Sequence, residues 1–323
     1  MPVIIETRNL TKRYGKLMAV NELSLQVEQG AIYGFVGPNG AGKTTTMRML
    51  TTLLRPTSGE ASVAGHSVAR DPRGVRRAIG YMPDFFGVYD DMKVWEYLDF
   101  FAACYNIPEA ARGGLITDLL ELVDLSHRRD DQVDTLSRGM KQRLCLARTL
   151  AHDPQVLILD EPASGLDPRA RIEIRELLVE LSRMGKTIFF STHILADVAE
   201  ICTQVGIVEA GRLVAQGSLE EMQRRVLPHR RLKITLLAQG EEARLALREA
   251  GREGVLEVRV PEAPGGNGNR AHPVVEVDFT GSDEAVSALL KDLVARGLPV
   301  LHFTESMHDV EDVFMQVTKG IVS

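Results

Sequence analysis

With 323 residues, 44% of them hydrophobic and 25% charged, the chain has the composition of an ordinary globular protein of about two domains. A net charge of −6 argues against the basic surface by which nucleic-acid binders neutralise phosphates, and three scattered cysteines, Cys104, Cys145 and Cys202, form neither a disulfide framework nor a metal spacing. No charged-then-apolar leader opens the sequence and no apolar run reaches the ~18 residues of a membrane span, so any work at a membrane is expected to be that of a peripheral partner.

Residues 3–10 read as a strand and residues 21–27 alternate as a second. Between them stands Lys12-Arg13-Tyr14-Gly15. Its aromatic ring has two readings: a platform for a nucleotide base, worth ~1–3 kcal/mol by analogy with base stacking, or a tyrosine half-buried in a hairpin. The apolar run at residues 31–36 has the length of a buried strand, and a helix-like segment follows at 45–50. Joining them is Gly37-Pro38-Asn39-Gly40-Ala41-Gly42-Lys43-Thr44-Thr45, a match to the phosphate-loop pattern of nucleoside triphosphate binding, in the right strand-to-helix context. The glycines let successive N–H groups curl inward, and the following helix adds the positive end of its dipole. Lys43 is expected to reach the β- and γ-phosphates, and the Thr44 hydroxyl to ligate magnesium.

From Gly59 to Gly80 short β-like pieces recur, and the run continues to Asp84. Helical apolar spacing takes over at residues 94–105, 114–123 and 138–151, with Pro108 and Gly113 as breaks, which describes a helical insertion inside an α/β chain. Ser137 stands at the N-cap of the last helix and Asp153-Pro154 ends it. The aliphatic run at 155–159 then ends in Asp160-Glu161. Two acids at the carboxyl end of a buried strand are costly without a cation, and ligands of open α/β sheets gather at that edge. Asp160 is thus placed to hold magnesium and Glu161 to face an attacking water. Another aliphatic strand, 187–191, leads to His193 at the same edge.

Between residue 3 and about residue 227 the chain resembles the ATP-binding subunit of an ABC transporter, because five motifs stand in the family's order. They are the phosphate loop from Gly37 to Thr44, the signature at Leu136-Ser137-Arg138-Gly139-Met140, the magnesium strand from Val156 to Pro162, the loop Ser164-Gly165-Leu166-Asp167, and the switch histidine at His193. The resemblance implies an α/β phosphate-loop NTPase core, a parallel sheet flanked by an antiparallel β subdomain. That ATPase domain is expected over residues 1–228, its helical subdomain over about 85–151, and a small α+β domain over 229–323. It implies ATP and magnesium as cofactors. Tyr14 and the run Gly37, Pro38, Asn39, Gly40, Ala41, Gly42, Lys43, Thr44 and Thr45 would bind ATP, with Tyr14 on the adenine. Thr44, Asp160 and Asp84 would hold the metal, and Glu161, His193 and Lys43 would be catalytic. Ser137, Arg138 and Gly139 would contact the ATP of the opposite subunit in a head-to-tail sandwich.

The resemblance further implies two partners and no nucleic acid: a second ATPase subunit, taken to be identical, and an integral membrane permease. The permease would dock near Phe85–Phe101, where Phe85, Phe86, Tyr89, Trp95, Tyr97, Phe100 and Phe101 crowd in a protein that is only 5% aromatic. The chain would then sit at the cytoplasmic face of the membrane as the motor of an exporter. The rival reading is a soluble ABC ATPase acting on ribosomes or DNA. Such proteins carry two cassettes, long coiled coils or zinc-binding cysteines, and this sequence has none of them. Two positions depart from the family pattern. Asp84 replaces the usual glutamine and either ligates magnesium or only shapes its loop. Arg138 stands where glycine is commoner and either adds a cation near the opposing γ-phosphate or is a solvated helix-start residue.

Beyond Pro228 a βαββαβα order is expected, with strands at 231–237, 255–260, 274–279 and 299–303 and helices at 241–250, 283–296 and 308–317. The glycine- and proline-rich stretch 261–273 reads as a flexible connection, and Ser306 with Asp309 as the cap of the last helix. This part resembles the C-terminal domain of exporter-branch ATPases for drugs, polysaccharides or ions, including the ending Asp309-Val310-Glu311-Asp312-Val313-Phe314. An amphipathic helix packing on its own sheet accounts for Val310, Val313, Phe314 and Val317, and no catalytic role is expected there.

Overall fold

The computed structural model describes residues 2–85, 87, 91–226, 230–237, 255–260, 272–306 and 310–318. The chain divides into two compact units, Met1–Leu219 with Val317–Ser323, and Glu220–Gln316. Residue 228, the expected boundary, is outside the described residues. In the first unit, β1 (Val3–Tyr14) and β2 (Leu17–Glu28) form a long hairpin closed by the Tyr14–Leu17 pair. After it come β3 (Ile32–Val36), buried along its whole length, and α1 (Lys43–Leu50). Strands β4 (Ser58–Val63) and β5 (His66–Ser67) complete an antiparallel sheet in the order β2-β1-β4-β5.

The stretch up to Gly80 is not β throughout, because α2 (Pro72–Ala78) precedes β6 (Ile79–Met82). Pro72 takes the first helical position and the Asp71 side chain accepts from Gly74 N at 2.9 Å, so the start is capped although only Val75 and Ala78 supply a buried apolar face. Two turns are too few for a 3.6-residue period to show. The insertion follows as α3 (Val94–Cys104), α4 (Glu109–Leu122) and α5 (Arg138–Leu150). Gly113 does not break α4, which begins after Pro108 and runs through both glycines. A Cβ at Gly113 or Gly114 would meet nothing within 4 Å, while Ile116, Leu119 and Leu120 are buried against the core. Burial of three aliphatic side chains at ~1.5–3 kcal/mol each outweighs ~1 kcal/mol per helical glycine.

The unit closes with β7 (Val156–Asp160), α6 (Pro168–Arg183), β8 (Thr187–Thr192), α7 (Leu195–Ile201), β9 (Gln204–Glu209) and β10 (Arg212–Gly217). The main sheet has the order β10-β9-β3-β8-β7-β6, parallel from β9 to β6 with β10 antiparallel at the edge. Its four neighbours β3, β8, β7 and β6 therefore end side by side, and their carboxyl ends carry the phosphate loop, His193, Asp160 with Glu161, and Asp84. One face of the sheet packs on the insertion, α5 and α6, and the other on α1 and the antiparallel sheet.

The second unit contains α8 (Leu219–Val226), which the sequence reading does not anticipate, then β11 (Arg230–Leu236), β12 (Val255–Arg259), β13 (Val274–Phe279), α9 (Asp283–Ala295), β14 (Val300–Ser306) and α10 (Val310–Val317). Its antiparallel sheet, β12-β13-β11-β14, buries Leu232, Ile234, Val275 and Val277 against Leu289 and Leu293 of α9. The helix expected at 241–250, the connection through residue 271 and the Asp309 cap lie outside the described residues. Among the described residues no helix is long and apolar enough to cross a membrane.

Candidate nucleotide site

Two glycines of the phosphate loop are fixed by the space around them. A Cβ on Gly37 would lie 2.2 Å from Val208 O, and one on Gly42, whose φ is +96°, would lie 2.4 Å from Ala19 O. Gly42 is the N-cap of α1, and the first helical bond is Thr46 N to Gly42 O at 2.9 Å. The N–H groups of Lys43, Thr44 and Thr45 thus precede the helical ladder, the part of a helix that offers donors to an anion. Those residues line a cleft of about 480 Å³ together with Tyr14, Asn39, Asp84, Glu161, Ser164 and His193.

Inside the cleft three side chains form a line. Lys43 is buried, and its Nζ donates to Gly37 O at 2.6 Å and to Pro38 O at 3.3 Å. The same Nζ lies 3.5 Å from Glu161 Oε1, and Glu161 Oε2 is 2.9 Å from His193 Nδ1. Glu161 has a φ of +51°, an uncommon conformation for a side-chain-bearing residue and of the kind found where geometry serves function. A carboxylate flanked by an ammonium and an imidazole can orient and accept a proton from a water, while the two flanking groups face negative charge.

Asp160, 1% exposed, stands one residue earlier. Ser191 Oγ donates to its Oδ1 at 2.6 Å and accepts from Glu161 N at 2.9 Å, so one hydroxyl fixes both acids. Asp160 Oδ2 is buried without a hydrogen-bond partner. An unmatched buried carboxylate oxygen is what a cation site requires, and these residues fit magnesium. No group of three metal-binding side chains occurs among the described residues, and magnesium needs none, since it takes one or two carboxylates, phosphate oxygens and water. Asp84 is exposed and lines the cleft beside Thr44 and Glu161.

Tyr14 closes the β1–β2 hairpin and lines the cleft, 46% exposed, with Lys12 Nζ 5.2 Å from its ring centroid. Ser137, Arg138 and Gly139 are not in the cleft lining. Ser137 caps α5, its Oγ accepting from Met140 N at 3.3 Å, as the sequence predicts. Arg138 is exposed but not merely solvated, because its Nη2 donates to Ser164 O at 3.3 Å. Of the aromatic residues between 85 and 101, Tyr97 is fully buried and Trp95 and Phe101 pack on the core, whereas Phe85 is 88% exposed. Phe86 and Tyr89 are outside the described residues.

Sequence reasoning missed Ser191 and Gln142, and named Ser164 only as part of a motif without placing it at the cleft. Gln142 is buried in α5 and donates from Nε2 to Pro162 O at 2.6 Å, bolting that helix to the turn after Asp160. Ser191 left a trace in the sequence, a hydroxyl ending the aliphatic run two residues before His193. Gln142 left none.

Known proteins resemble this chain in sequence and fold. A family profile described as ABC transporter matches residues 20–164. The Nod factor export ATP-binding protein I of Burkholderia orbicola is 42% identical over 214 residues, 66% of this chain and 70% of the relative. The protein of the same name from Cupriavidus metallidurans is 40% identical over 222 residues, 69% of this chain and 73% of the relative. Among solved structures, an ATP-binding subunit of an ABC transporter superposes with a TM-score of 0.62 at 31% identity, over 69% of this chain and 92% of that one. A nucleotide-free ATP-binding cassette from an ABC transporter, at 24% identity and a TM-score of 0.63, shares the fold over 70% of this chain and 96% of that one. The chain belongs to the ABC transporter family, as one of its ATP-binding, ATP-hydrolysing subunits.

Proposed function

We propose that this subunit powers an exporter by pairing head to tail with a second, identical chain, each ATP lying between the phosphate loop of one and the signature of the other. The observation that carries the reading is the split geometry: Lys43, Glu161 and His193 meet in one cleft, while Ser137 and the Gly139 amide sit at a helix N-terminus outside its lining. Such an N-terminus suits the γ-phosphate of a nucleotide held by another chain. Tyr14 carries the adenine, and residues 37–45 wrap the phosphates. Glu161 orients the water and accepts its proton, His193 contacts the γ-phosphate under attack, and Lys43 offsets the charge that builds as the bond to the departing ADP breaks. Thr44, Asp160 and Asp84 would hold magnesium, which supplies positive charge beside the phosphate oxygens when bound.

Relatives named for Nod factor export support export as the direction, and they disfavour a ribosome- or DNA-directed ATPase. The permease partner docks at the stretch 85–101, a reading supported by the bare ring of Phe85, and keeps the chain at the cytoplasmic face as a peripheral subunit. The test is Glu161→Gln, which keeps the shape of the side chain and loses its basicity. Turnover is expected to fall by ~10²-fold or more, the scale of one positioned general base, with ATP binding retained and a stable dimer appearing in size-exclusion chromatography with ATP. A variant that stays monomeric and hydrolyses ATP normally removes both Glu161 and the pairing from the mechanism.

A further inference from the structure

Arg138 opens α5 directly after the Ser137 cap and reaches across to the loop that follows Glu161, where its Nη2 donates to Ser164 O at 3.3 Å. The next residue, Gly165, has a φ of +67°, and a Cβ there would lie 2.6 Å from Nη2, 2.7 Å from Cζ and 2.9 Å from Nη1 of Arg138. The guanidinium thus occupies the space in which any other residue at 165 would begin its side chain. The loop is anchored on both sides of this contact. Ser164 N donates to Glu161 O at 3.1 Å and Ser164 lines the nucleotide cleft, while the Asp167 carboxylate accepts from Arg169 N and Ala170 N, both at 3.0 Å, to cap α6.

We infer that Arg138 is a positioning residue acting within its own chain: it clamps the 161–167 loop, and with it the Ser164 wall of the cleft beside Glu161, to the helix that carries the signature. Given the head-to-tail pairing proposed above, on which this consequence rests, the clamp links the two nucleotide sites. A phosphate seated by the partner chain on the N-terminus of α5 is felt, through Arg138, at the loop next to this chain's own Glu161. The contact is a single exposed bond, so its loss should slow turnover severalfold and not abolish it.

The experiment uses full-length Arg138→Gly and Arg138→Lys. In R138G, amide hydrogen exchange over residues 163–167 should rise by roughly three- to tenfold, with residues 37–45 unchanged, and kcat should fall by a similar factor at unchanged KM for ATP. R138K, which keeps a charged donor, should recover part of both. Mixed dimers with one Glu161→Gln chain separate cis from trans action. The loss should appear when R138G sits on the chain whose Glu161 is intact, and not when it sits on the other. Unchanged exchange in the loop overturns the clamp. A loss that follows the opposite chain also overturns it, because Arg138 would then act on the partner's γ-phosphate. Failure of the E161Q chain to dimerise with ATP overturns the pairing itself, and the exchange measurement still decides the contact within the chain.

Discussion

Gly42→Ala puts the architecture of the phosphate loop to a quantitative test. Gly42 combines a φ of +96° with a site where a Cβ would lie 2.4 Å from Ala19 O, a backbone atom that cannot swing away. The conformation alone costs an alanine ~1–2 kcal/mol, and the overlap, which requires about 1 Å of backbone movement, adds ~1–3 kcal/mol. Gly185 is the internal control: its φ is +89°, and nothing lies within 4 Å of its Cβ position. Gly185→Ala should carry the conformational term only. At ~2–4 °C per kcal/mol for a unit of this size, G185A should melt ~2–8 °C below the parent and G42A ~4–20 °C below, with G42A always the lower. The function separates them further. Relief of the overlap moves the first turn of α1, so ATP affinity should fall by at least ~10-fold in G42A, which is ~1.4 kcal/mol, and stay unchanged in G185A. Thermal melting and titration with a fluorescent ATP analogue read both quantities. Equal melting temperatures, or parental ATP affinity in G42A, would refute the reasoning.

Ser191→Ala removes the hydroxyl shared by Asp160 and Glu161, which should cost ~1–3 kcal/mol and lower kcat by ~10-fold or more with ATP binding kept; an unchanged rate would show that the two acids hold their places without it. If Asp84 ligates magnesium, Asp84→Gln should preserve hydrolysis with a shallower magnesium dependence and Asp84→Ala should cut turnover by an order of magnitude or so, whereas an untouched magnesium titration in D84A would leave Asp84 as a loop-shaping residue. Burial pushes the Cys145 thiol up to about 11 against the opposing pull of Arg148, and pushes Cys202 up as well, while Cys104 is exposed. Iodoacetamide at about pH 8 should therefore modify Cys104 first and the other two only on unfolding, an order that peptide mapping reads directly.

The chemistry of this protein is carried by short, local patterns, and those were legible in the sequence. A glycine-rich turn between a buried strand and a helix has few meanings, and the acids at 160 and 161 end an aliphatic run whose burial makes them expensive without a cation. Ser137 announced its helix because a capping oxygen and the N–H that donates to it lie three residues apart. The contacts that assemble the site are different in kind. Ile32 pairs with Ile188, and Asp160 with Ser191, because crossover connections laid β3, β8 and β7 side by side, and no spacing in the chain states which parallel strands become neighbours. Arg138 meets Ser164, and Gln142 meets Pro162, only after α5 has docked on the sheet. The unbroken path of α4 through Gly113 was likewise settled by packing, which overrode weak local preference, whereas α2 starts on a local cap, Asp71 with Pro72, in a segment too short to show a helical period. Local propensity and motif spacing determined which elements and which reactive groups this chain possesses. Tertiary burial decided which of them touch, because a hydrogen bond between residues twenty to thirty positions apart forms only once the surrounding apolar surfaces have closed.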